Sequence, residues 1–386
     1  MSCRLFVALV LLTSACTKGD DVDDSAASAG LAVLGAGSHG IDGLLLDVIG
    51  TEDDGLRLPR DLDFNPSVEG ELWVVSKRDD SVVIFSDAGA DAQTSRKVID
   101  PFALHFMDSP SSLDFGAINQ RFGQTFGTCQ ESRNTYNGRF LPDYFMGPTL
   151  WSAEPDIFGE SNPEAVEYLS ELYNQPVDLG SHLDMLHESP LCMGITWEAD
   201  NVYWVFDGYN QAIARYDFVD DHGMGYDDHS DGIIAKYVQG EVAYVEDVPS
   251  HLELDADTGL LYVNDTGNNR VVVLDTTTGQ RGRTLPATEP GTTHYAVDGA
   301  ELWTLIDGAA VDPPMVAPSG LDLVDGTLFI TDNATSRIYA FDLDGNLIDF
   351  VDTGLPEGAL MGLRARALDD LWFVDAVDFR VLRLQP

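Results

Sequence analysis

The stretch 249–275, PSHLELDADTGLLYVNDTGNNRVVVLD, recurs at 318–342 as PSGLDLVDGTLFITDNATSRIYAFD. Each copy opens a short apolar strand on small residues, turns at Asp and Gly, and runs a second strand to an Asp (Asp265, Asp332). A Gly/Asn/Ser turn follows, then an Arg (Arg270, Arg337) and a third strand that again ends in Asp. Several short strands per copy, repeated every 40 residues or so (roughly 40 to 50), are the signature of a β-propeller. The fold class expected is therefore all-β.

Weaker copies fall into the same register. Their first strands open at Asp61, Ser112, Gly194, His251, Gly320 and Gly362, which predicts six blades. The unequal spacings put a loop and helix insertion in blade two and a smaller one in blade four. The last copy ends at Pro386 after three strands, and an unpaired outer edge there is a liability. The segment 43–50, GLLLDVIG, reads as the strand that covers it and closes the ring. The stretch 295–306, YAVDGAELWTLI, is expected at the outer edge of blade four.

These repeats resemble NHL-repeat six-bladed propellers, and the resemblance covers 44–386. It implies that Asp207, Asp265, Asp332 and Asp375 are turn and inter-blade partners, in keeping with the preference of Asp for turns. Zinc-dependent amidating lyases of this fold carry a His at comparable strand starts on three blades. Here only His251 has that place; Ser112, Gly194, Gly320 and Gly362 hold the others. Calcium-dependent lactonase-type propellers would need inward Glu, Asn and Asp, for which Glu131, Asn134 and Asp265 are available.

The chain begins MSCRLFVALVLLTSAC, an apolar run behind one Arg and ahead of small residues, too short to span a bilayer. LTSAC resembles a bacterial lipobox, which implies that 1–15 is a lipoprotein signal peptide and Cys16 the lipidated residue. A plain secreted protein cut nearby is the alternative. Residues 16–40 are expected to form an acidic flexible tether, with the propeller over 41–386, and the address is the cell envelope, lipid-anchored and extracytoplasmic. With 65 acidic against 21 basic residues the net charge is −44. Such a field repels nucleic acid and anionic membrane surfaces, so NHL propellers that bind RNA through a basic face are excluded as a guide. Solubility in a saline habitat and cation binding both remain open as reasons for it. Cys3 leaves with the signal, and Cys129 and Cys192 remain at one rim of neighbouring blades. In an oxidising compartment they are expected to form a disulfide, two buried free thiols being the alternative.

Function on a rigid scaffold tends to sit on long loops. Blade two offers 132–147 and 156–190, the latter with a helix capped at Ser161-Asn162-Pro163-Glu164 and an apolar stripe through Ala165, Val166, Leu169, Leu172 and Tyr173. Both are expected over one channel mouth, making a pocket with Asp61, Ser112, Glu131, Arg133, His187, Asp207, His251 and Asp265 as candidate ligand-binding residues. A second cluster, DDHGMGYDDHSDG at 220–232, supplies His222, Asp227, Asp228, His229 and Asp231 as candidate metal ligands. Its oxygens suit a divalent cation such as Ca²⁺ and its imidazoles a softer metal. EF-hand spacing is incomplete, a solvated turn is the alternative, and the loop is expected on the face opposite the pocket. The chain contains no G-x-S-x-G, P-loop, H-E-x-x-H or C-x-x-C motif. The expectation is a binding module for a small molecule or an extracytoplasmic protein, with a metal-assisted hydrolase or lyase as its rival.

Overall fold

The computed structural model describes residues 30–133 and 145–386. Cys16, Asn134 and the signal peptide lie outside them, as do most of the first addition and residues 16–29 of the tether.

Six sheets, antiparallel except for one pairing in blade three, form a six-bladed β-propeller. Blade two shows the plan: Pro110–Asn119 lines the channel, followed outward by Gly123–Gln130, Thr149–Ser152 and Asp184–Met185. The inner strands of the other blades are Pro59–Phe64, Cys192–Ala199, Leu252–Asp255, Pro318–Val324 and Leu360–Ala367. The middle strands of the blades, such as Leu72–Ser76 (LWVVS) and Val202–Asp207 (VYWVFD), are near-continuous buried apolar runs, so each sheet has two apolar faces, and a core forms in each cleft between neighbours. Six such clusters are found, one per adjacent pair. The cleft between blades one and two, for instance, buries Trp73 and Val75 against Phe115, Phe126 and Trp151.

Ring closure follows the sequence reading. Leu45–Gly50 pairs antiparallel with Arg380–Gln385, Leu46 lying opposite Leu384, and becomes the outer strand of blade six. The inter-blade disulfide is present between Cys129 and Cys192, their Cα atoms 5.1 Å apart. The blade aspartates are structural partners. Asp265 accepts from Arg270 Nε at 2.7 Å, Asp375 accepts from Arg380, and Asp332 accepts from the backbone of Val316 and Ala317.

Three expectations need correction. Residues 30–40 are docked rather than free: Val33 and Leu34 are 0% exposed in the cleft between blades five and six, and His39 stacks on Phe350. The stretch 295–306 is split. Glu301–Asp307 does edge blade four, but Thr293–Asp298 pairs parallel with Ile233–Tyr237 and, with Gln280–Thr284, widens blade three to six strands. Third, the addition at 156–190 does not leave from the rim of the first addition. Strands in an antiparallel blade alternate in direction, so a connection after the third strand, at Ser152, leaves from the other rim. The acidic loop leaves blade three at the equivalent place, after Ala212–Asp217. Both segments therefore run over the same flank.

Candidate functional site

Of the residues expected at the channel mouth, His251 and Asp61 face each other and the others are engaged by different partners. Glu131 accepts from Lys77 Nζ at 2.6 Å and from the backbone N–H of Asp247 at 2.7 Å, and Asp247 also pairs with the buried Arg60 at 3.0 Å. His251 is buried, with Nδ1 3.6 Å from Asp61 and Nε2 3.4 Å from the Ser111 carbonyl. Ser112 Oγ accepts from the Ile195 N–H, Asp207 pairs with Lys236, and the Arg133 guanidinium lies over Tyr209. Deeper, Arg364 of blade six fills the axis. It meets Asp63 at 2.9 Å, Asp322 at 3.0 Å, Asp114 at 3.5 Å and Glu253 at 3.6 Å, from four other blades. Burial pushes Asp61 and Asp114 up to about 7. The mouth is thus a plug of ion pairs, and of its expected residues His187 alone lies elsewhere, in a pocket.

That pocket, about 280 Å³, opens on the flank of blades two and three. Its wall comes from several segments: His105 and Phe106 of the short helix Ala103–Phe106; Phe145; Tyr173 to His187 of the addition; Asp227 and His229 of the acidic loop; and Glu289 of the crossing hairpin. The helix Pro163–Tyr173 starts as the sequence suggested, the Asn162 side chain accepting from the Glu164 N–H with Pro163 in its first turn. Its buried stripe is narrower than expected, Ala165 and Leu169 only. Asn162 Nδ2 donates to the Met224 carbonyl and Tyr173 Oη donates to Asp227 at 2.6 Å, so helix and acidic loop are bound together.

Behind the pocket wall, histidines from both segments meet. The turn before His182 is held by Asp100, which accepts from Ser181 N and Oγ, and Gly180 stands at φ +69° where a Cβ would strike that carboxylate. His182 Nδ1 faces the Leu179 carbonyl at 2.9 Å, and the ring stacks on Phe106 at 3.5 Å. His222 Nδ1 faces the Gly223 carbonyl at 2.7 Å. His229 sits between Asp184, 2.8 Å from Nδ1, and Asp227, 3.3 Å from Nε2. Burial lowers His182 well below the usual range, helped by His222 and His229, and takes His222 to about 4. In His229 burial works the same way, but the hydrogen bonds to Asp184 and Asp227 outweigh it and push the ring up to about 10. His187 stacks on Phe145 at 3.9 Å with Glu289 3.3 Å from Nδ1.

Of the metal candidates, His222, Asp227 and His229 come together here. Asp228 and Asp231 do not: they cap turns through Ser230 and the Asp220 N–H. His182, Asp184, His105 and Glu289 were missed, since no repeat or motif marks them; the HLDMLH spacing of His182 and His187 was the one local signal.

No protein-family model and no curated protein matches the chain. Among solved structures, a luciferin-regenerating enzyme aligns with a TM-score of 0.53 at 12% identity, covering 89% of this chain and 96% of that one. Virginiamycin B lyase from Staphylococcus aureus aligns at 0.49 and 11% identity, covering 89% and 99%. An auxiliary nutrient binding protein from Bacteroides ovatus aligns at 0.48 and 10% identity, covering 85% and 69%. At 12% identity the likeness to the luciferin-regenerating enzyme is one of fold alone.

Proposed function

We propose that this chain is an NHL-type propeller, lipid-anchored through Cys16 on the extracytoplasmic side of the cell envelope, that binds a small molecule in the flank pocket. The observation carrying the reading is the pocket itself. Aromatic and aliphatic walls (Phe106, Phe145, Val177, Leu179) surround a few convergent polar groups (Tyr173, His187, Asp227, Glu289), the composition of ligand sites in general. The channel axis, by contrast, is occupied by Arg364 and its carboxylate partners. A ligand with an apolar body and a hydrogen-bonding or cationic head fits such a lining. A partner protein remains an outcome of the test.

Thermal-shift screening against small amines, carboxylic acids and sugars tests the pocket, with Glu289→Gln as the comparison. A ligand that raises the melting temperature of the native protein should raise that of Glu289→Gln markedly less. An equal rise in both places the site elsewhere. Cys16→Ser should move the protein from the membrane fraction to the soluble one, and an unchanged distribution would refute the anchor.

The second reading is a metal-assisted hydrolase or lyase in the same pocket. It is favoured by the histidine nitrogens that converge behind Asp227 and His229, since a metal ion at a pocket wall can polarise a carbonyl or activate water.

A further inference from the structure

We propose that His182, His222 and His229 form a site for a divalent transition-metal ion of the zinc class, with Asp227 completing the coordination at the pocket wall. The proposal stands apart from the identity of the pocket ligand. It rests first on geometry: one ring nitrogen of each histidine lies within 4.8 Å of the others. It rests second on what those nitrogens lack.

Carbonyl oxygens only accept, so Nδ1 of His182 and Nδ1 of His222 must carry the protons that meet Leu179 and Gly223. Each Nε2 is then a bare lone pair. Both Nε2 atoms are buried and have no hydrogen-bond partner among the described residues. Unsatisfied buried acceptors are rare in folded proteins and call for an explanation. His182, moreover, is 0% exposed. A cation shared by these rings supplies the missing partner for both at once.

The surroundings match those of a metal centre. Ligating histidines almost always donate their other ring N–H to a carbonyl or carboxylate, which fixes ring orientation and raises basicity. His182 and His222 use carbonyls, and His229 uses Asp184. Asp227 already lies 3.3 Å from His229 Nε2, and Tyr173 holds its other oxygen at 2.6 Å. An ion entering between His229 and Asp227 displaces the proton that His229 Nε2 holds towards that carboxylate, and the proton leaves to solvent. Three nitrogens and one carboxylate are a zinc-type set, whereas calcium takes six to eight oxygens or thereabouts. Tetrahedral bonds of about 2.0–2.1 Å place nitrogens about 3.4 Å apart, so the rings must draw in by about 1 Å.

Zinc and cobalt are the probes. The intact chain, stripped with a chelator, should take up one Zn²⁺ per molecule with millimolar Ca²⁺ failing to compete, and its Co²⁺ form should show the intense visible absorption of four-coordinate cobalt. His222→Gln, a change on a half-exposed loop, should abolish stoichiometric uptake, while Asp228→Asn in the same loop should leave it intact. No stoichiometric zinc, weak six-coordinate cobalt bands, or preference for calcium would each overturn the site. So would uptake lost equally in Asp228→Asn and His222→Gln, the behaviour of a diffuse acidic loop. The cobalt spectrum is read on the native protein, so the outcome does not depend on how well a variant folds. Failure of Glu289→Gln to alter ligand binding would touch the pocket reading and leave this one standing.

Discussion

Asp61 is the residue at which the axis of the propeller becomes measurable. It accepts from the backbone N–H groups of Leu62 and Leu113, faces His251 at 3.6 Å, and feels the charge of Arg364. Burial outweighs all of these and raises its pKa from 3.8 to about 7. The sign follows from which state holds the proton. Between pH 4 and 7 or so the folded protein keeps a proton that the unfolded chain has released, so stability falls as the pH rises through that window. It is full below the unfolded value and lost above the folded one. His251, taken down to about 4 by burial, stays neutral in the folded protein from pH 5 to 8, and its unfolded titration is the same in native and variant chains. Asp61→Asn removes the titrating group. Its stability relative to the native protein should therefore improve from pH 5 to pH 8 by roughly 1.3 kcal/mol, about half the value that the two pK units inside this window would give without solvent relaxation. Denaturant melts at the two pH values measure this, and an identical difference at both would refute the buried-carboxylate reading.

Among the elements, the segment at 31–34 carries the clearest structural correction. Leu31, Val33 and Leu34 form a short apolar run amid Gly, Ala and Ser, and that setting made 30–40 read as tether. Docking of Val33 and Leu34 shows that the run is a plug for the blade five and six cleft. Leu34→Ala should then destabilise the domain by about 2 to 4 kcal/mol, as for other buried leucines; a loss under 0.5 kcal/mol or so, the scale of a surface change, would mean that the segment is not anchored there. What was legible elsewhere follows the same physics. Strands that must fill equivalent clefts reuse residues, so Asp265…Arg270, Asp332…Arg337 and Asp375…Arg380 announce their blades. Leu45–Gly50 was legible because an edge needs a partner. Contacts between two non-repeating connections have no period. His182 on one and His229 on the other therefore gave no joint signal, and the miscounted rim of 156–190 separated them further. The hairpin 280–298 escaped for a related reason: its strands pair with a blade other than the one that its sequence position suggests.

At the scale of the whole molecule, stability depends on whether the ring is closed, because every blade uses both neighbours as its core. Beyond the backbone itself, the sole covalent cross-link between blades among the described residues is the disulfide joining blades two and three. The seam in blade six has no such link. It is held by the pairing of Leu45–Gly50 with Arg380–Gln385 and by Ile49 in the cleft with Trp372, Val374 and Phe85. Chains starting at Gly43 and at Thr51 differ by little more than this strand. Both lack the 31–34 plug, so the comparison isolates the seam. The chain from Thr51 should melt at least several degrees lower and should self-associate, since its Arg380–Gln385 edge presents unpaired backbone groups that another copy can cover. Calorimetry and size-exclusion chromatography read the two effects separately. Equal melting temperatures with both chains monomeric would mean that five complete blades and a three-stranded sixth suffice, and that the N-terminal strand is not what keeps the ring shut.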